Sequence, residues 1–109
     1  MIEPLVGSTN AERVLIYILA RDEGYARQIA RFFGADADSI QKQLARLESG
    51  NVLVSKSAGR TRLYSFNPRY PFLNELQLLL EKVLTFYTEE EREQLLMNRR
   101  RPRRPGKPL

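Results

Sequence analysis

Apolar residues recur along this chain with two different periods, and the places where the period changes mark its elements. Ser8, Thr9 and Asn10, any of which can cap a helix, precede Val14, Leu15, Ile18 and Leu19, a spacing that predicts a helix over Ala11–Arg21. Asp22, Glu23 and Gly24 end it. Ile29, Phe32 and Phe33 predict a second helix from about Tyr25 to Phe33. Gly34, Ala35 and Asp36 form a turn in which Gly34 supplies φ > 0 and Asp36 caps a third helix. At 100° per residue, Ala37, Ile40, Leu44 and Leu47 share one stripe of that helix, which runs to about Ser49. Gly50 and Asn51 stop it. Leu53, Leu63, Tyr64 and Phe66 then supply strand positions on either side of a turn near Ser57–Arg60, predicting a two-stranded hairpin.

After Asn67–Pro71 breaks the pattern, Leu73, Leu76, Leu80, Val83 and Tyr87 fall at 3-4-3-4 spacing, a heptad seam about two repeats long. Leu78, Leu79, Leu84 and Phe86 widen the apolar surface beyond one stripe. A helix this apolar buries more than one face, one on its own domain and the other on a second subunit. Full burial within the chain is the competing expectation. Thr88 and Glu91 have the spacing of a capping box, which predicts a new helix or a bend over Glu89–Asn98.

The order of helix, turn, helix and basic hairpin predicts a winged helix-turn-helix, a mainly α domain with a small β-hairpin, extended by a long C-terminal dimerisation helix. The expected division is a DNA-binding domain over 1–71, a helical dimerisation segment over 72–98 and a disordered basic tail over 99–109.

Charge sharpens this picture. The net +5 is made of +3 over residues 1–71, −4 over 72–98 and +6 over 99–109, so the high pI comes mainly from the tail. Placement of charge therefore has to carry any nucleic-acid argument. On the third helix Asp38, Lys42, Ala45, Arg46 and Ser49 lie opposite the apolar stripe, with Ser39, Gln41 and Gln43 on its flanks. Amides and arginine can bond base edges in pairs, and lysine neutralises phosphate. Arg27 and Gln28 open the second helix, and Lys56, Arg60, Thr61 and Arg62 surround the hairpin tip without a carboxylate among them. These twelve positions, Ala45 and Ser49 aside, are the expected DNA contacts. A solvated helix face and a charged, aggregation-resistant edge strand are the plainer readings of the same residues. The tail run Arg101–Pro105 resembles the AT-hook minor-groove motif, but Arg104 stands where that motif has glycine. A phosphate-binding arm or a solubilising tail accounts for it as well.

The chain contains no cysteine and no histidine. That removes thiolate chemistry, disulfides, the commonest general base and the commonest metal ligand. No enzymatic activity, catalytic residue, metal site or cofactor is expected. No apolar run reaches the length of a membrane span and the N-terminus lacks the pattern of a signal peptide, so no membrane partner and a cytoplasmic location are expected.

Residues Tyr25–Ala30, Ser39–Gly50, Gly59–Tyr64 and Asn67–Pro68 together resemble the ArsR-like winged helix-turn-helix transcriptional regulators. The likeness covers roughly residues 8–85. It implies a homodimer that binds operator DNA through the third helix and the wing, with a repressor the leading form. Members that sense metals use cysteine and histidine clusters, which this chain lacks, so the effector is left open. Two other classes compete: a module docking a partner protein, and an RNA-binding protein using the tail. The polar outward face of the third helix favours DNA over docking. Scattered aromatics disfavour RNA.

Overall fold

Ser8 begins the central helix by accepting a bond from the Ala11 backbone N–H at 3.1 Å. The computed structural model describes residues 1–97. Its elements in order are α1 (Glu3–Val6), α2 (Thr9–Arg21), α3 (Ala26–Phe33), α4 (Ala37–Ser49), β1 (Leu53–Ala58), β2 (Thr61–Phe66), α5 (Leu73–Leu84) and α6 (Glu89–Met97). Helix α1 has no counterpart in the apolar pattern, because four residues are too few to show a helical period.

From Ala11 to Ala20, α2 is buried at every position except Arg13. The sequence pattern foresees one buried face. The structure buries nearly the whole circumference, because α1, α3, α4, α5 and α6 all pack against it. Val14, Leu15, Ile18, Ile29, Ile40, Leu44, Leu80, Val83 and Leu95 thus belong to one core.

Helix α3 ends at Gly34, whose φ of 65° is left-handed. Asp36 then caps α4 by accepting from the Ser39 N–H at 2.9 Å. The predicted inward stripe of α4 is realised in Ile40, Leu44 and Leu47. Strands β1 and β2 pair antiparallel from Leu53↔Phe66 to Ala58↔Thr61. A further bridge joins Gly24 to Tyr64 through two bonds of 3.0 and 2.8 Å, tying the wing to the α2–α3 loop.

The C-terminal segment is two helices rather than one long one. Helix α5 stops at Leu84, and the Thr88–Glu91 capping box restarts the chain as α6, with bonds of 2.8 and 3.1 Å. The break lets α6 fold back onto α2. Arg21 secures it, donating to the Leu95 carbonyl at 2.7 Å and the Gln94 carbonyl at 3.1 Å. Cations suit the unsatisfied carbonyls at a helix C-terminus.

The heptad seam is used within the chain. Leu80 and Val83 are buried in its own core, Leu73 and Leu76 are half-buried, and the half-buried Tyr87 donates its hydroxyl to Glu12 Oε2 at 3.1 Å. A small core built around α2 needs that stripe. The surplus apolar surface is Phe72, Leu78 and Phe86, each more than 60% exposed.

Candidate nucleic-acid interface

The α2–α3 turn, α4 and the wing converge on one open groove. Tyr25, Ala26, Arg27, Gln41, Arg60, Thr61 and Arg62 line it, and its volume is about 450 Å³. Three guanidinium groups and three neutral polar side chains share this concavity, and no carboxylate lines it. Such a lining attracts a polyanion, and its arginines can hold phosphate oxygens in pairs.

Local folding explains how each side enters. Tyr25 sits at the cap of α3, and its backbone N–H donates to Gln28 Oε1 at 3.3 Å. Gln28 thereby serves the helix start and is half-buried, while Arg27 beside it is exposed. The buried Tyr64 of β2 accepts from Gln41 Nε2 at 3.0 Å, which fixes the wing against α4. A second tie runs from Arg62 Nη1 to Ser55 Oγ at 2.9 Å, and from Ser55 Oγ to Glu48 Oε2 at 2.6 Å. Arg62 is therefore partly committed to the wing's own anchoring. Arg60 at the tip carries no such bond and stays exposed, as does Lys56 on β1.

On the outward face of α4, Asp38 and Lys42 are exposed. Ser39 is half-buried and donates its hydroxyl to Asp36 Oδ2 at 3.1 Å, so it belongs to the helix cap. Arg46, expected on the reading face, is engaged elsewhere. Its Nε donates to Gln43 Oε1 at 3.0 Å and its Nη2 to the Val6 carbonyl of α1 at 2.6 Å. Of the twelve expected contacts, Arg27, Gln41, Arg60, Thr61 and Arg62 share the groove, and Asp38, Lys42 and Lys56 are exposed outside its lining. Gln28, Ser39, Gln43 and Arg46 are bonded within the protein.

Sequence reasoning missed Tyr25 as part of the lining. An aromatic at a helix cap reads as core, and only the approach of the wing turns it into a wall. Among the described residues no group of three or more Asp and Glu is placed to hold a metal ion. None of the described helices is long and apolar enough to cross a membrane. The tail, including the AT-hook-like run, lies outside the described residues.

No protein-family model matches this chain, and no curated protein matches its sequence. Solved structures do resemble it. YusO from Bacillus subtilis superposes with a TM-score of 0.59 at 20% identity, covering 85% of this chain and 72% of that one. A cysteine/histidine double mutant of ZitR from Lactococcus lactis, in apo form, gives a TM-score of 0.54 at 22% identity over 80% of this chain and 74% of that one. A second structure of the same ZitR mutant gives 0.55 at 23% identity, covering 87% and 73%. The six helices and one antiparallel hairpin of the described residues, in the order given, form a winged-helix fold.

Proposed function

We propose that this chain is a sequence-specific, duplex-DNA-binding transcription regulator of the ArsR-like kind, acting as a homodimeric repressor. The observation that carries the proposal is the carboxylate-free groove in which Arg27, Arg60 and Arg62 converge beside α4. The likeness to YusO and ZitR in fold is compatible with the same reading. In this reading α4 enters the major groove, with Gln41 and Lys42 towards base edges and phosphate. The wing lies on the adjacent backbone or minor groove, and Arg27 with Arg60 grips one strand from both sides. The proposed second subunit meets the exposed Phe72, Leu78 and Phe86, so that two copies read two half-sites. No catalytic step and no cofactor enters this reading.

The test is selection of duplexes from a random library by the purified full-length protein, followed by salt titration on the enriched sequence. Arg27→Ala and Arg60→Ala should each lower the log–log salt slope by about 0.9, the share of one phosphate contact. Failure to enrich any sequence, with slopes unchanged in both variants, refutes the proposal.

A further inference from the structure

We infer that α1 is a built-in competitor of the DNA site, holding Arg46 off the duplex until α1 is released. The inference rests on the reading of α4 as the DNA-contacting helix. Arg46 lies on the exposed side of α4, yet two of its five N–H donors are engaged within the protein, on the Val6 carbonyl and on Gln43. The carbonyl it holds is one of the orphan acceptors at the end of α1, a natural seat for a cation. A guanidinium in that seat cannot also reach phosphate or a base edge with the same donors.

The seat is shaped for it. Gly7 closes α1 at φ 112°, a region side chains avoid, and a Cβ placed there would lie 3.2 Å from Arg46 Nη2. Glycine thus makes the turn and leaves room for the guanidinium. The other end of α1 is fastened to Glu12 on α2. The Ile2 N–H donates at 2.8 Å to Oε1 of Glu12, which is only 5% exposed. The other oxygen of Glu12 accepts from Tyr87, between α5 and α6. Helix α1 is therefore strung between the reading helix and Glu12 of α2, the residue that Tyr87 also holds.

Besides these ties, Ile2 and Val6 pack half-buried against the core and the Met1 ammonium donates to Glu12 Oε1 at 2.8 Å. No residue of α1 is fully buried, and Leu5 is 74% exposed. Segments with so few buried contacts open at low cost. Docked, α1 occupies Arg46. Released, it frees a cation on the face of α4 and strengthens DNA binding.

Two measurements on the full-length chain test this. Without DNA, Arg46→Ala should speed amide hydrogen exchange over residues 3–7 about five-fold, the worth of a partly exposed charged hydrogen bond. Unchanged protection there overturns the latch. With DNA, Gly7→Ala should bind duplex about five-fold more tightly than wild type, because the added Cβ presses on the guanidinium and strains the turn. The gain should vanish when Arg46→Ala is combined with it. Equal or weaker binding by a Gly7→Ala protein that melts like wild type overturns the inference, and so does a gain that survives without Arg46. A wild type that binds no duplex sinks the DNA reading and this inference together. Binding without the Gly7→Ala gain sinks this inference alone.

Discussion

Gly24→Ala should loosen the wing from the rest of the domain, and the size of the effect follows from three distances. A Cβ on Gly24 would sit 3.0 and 3.1 Å from two carbons of the Tyr17 ring and 3.2 Å from Ile29 Cδ1. Its φ is not among the left-handed ones, so the problem is space and not backbone conformation. Tyr17 cannot swing aside. The Arg21 guanidinium lies 4.8 Å from its ring centroid and Phe32 5.6 Å away, and its hydroxyl accepts from Arg21 at 2.8 Å. Forcing one extra carbon into such a core costs about 1–3 kcal/mol. If the loop retreats instead, the two bonds to Tyr64 are lost, at about 0.5–1.5 kcal/mol each. The reduced freedom of the unfolded chain returns about 0.4–1 kcal/mol. The net loss is about 1–2 kcal/mol, or about 4–16 °C in Tm for a domain near this size. Urea unfolding followed by far-UV circular dichroism measures it, and the midpoint should fall with an unchanged slope. Duplex binding should weaken in parallel, because Tyr64 also holds Gln41. A variant within 0.5 kcal/mol of wild type would refute the reasoning and show that the Gly24–Tyr64 bridge tolerates a side chain.

Leu78→Glu combined with Phe86→Glu should yield monomers by light scattering with little change in stability, since both side chains are exposed; a double variant that stays dimeric would move the interface elsewhere. Leu80→Ala should instead cost about 2–5 kcal/mol in urea unfolding, because Leu80 belongs to the chain's own core, and a loss below 1 kcal/mol would contradict its burial. Burial, with the Glu12 carboxylate beside it, raises the Tyr87 phenol above its ordinary value. A raised acid stabilises the fold below its unfolded pKa of about 10, and that contribution is lost as pH climbs above it. Wild type should therefore lose stability above about pH 10 more steeply than Tyr87→Phe, and identical alkaline profiles would count against this. A chain ending at residue 98 should keep its melting temperature but lose part of its salt-dependent affinity, with the slope falling by fewer than six units because six cations are removed; an unchanged slope would make the tail a bystander.

The local elements were legible in the sequence because their causes are local. Asp36 and the Thr88–Glu91 pair cap helices through bonds three residues long, so spacing alone finds them. The inward stripe of α4 follows from the helical period and the turn at Gly34 from the absence of a Cβ. The winged-helix order of α2, α3, α4 and the hairpin was likewise readable, and so were the cations near the wing tip. The partners of long-range contacts were not. Arg46 and Gln43 look outward on a helical wheel, yet a short helix forty residues away in sequence takes the guanidinium. The 3-4-3-4 seam reads as a dimer contact, yet Leu80 and Val83 fill the chain's own core. Periodicity says that a face must be buried but carries no information about which surface covers it. That choice is made when α5 and α6 close over α2, where the apolar area of a small domain is most cheaply hidden.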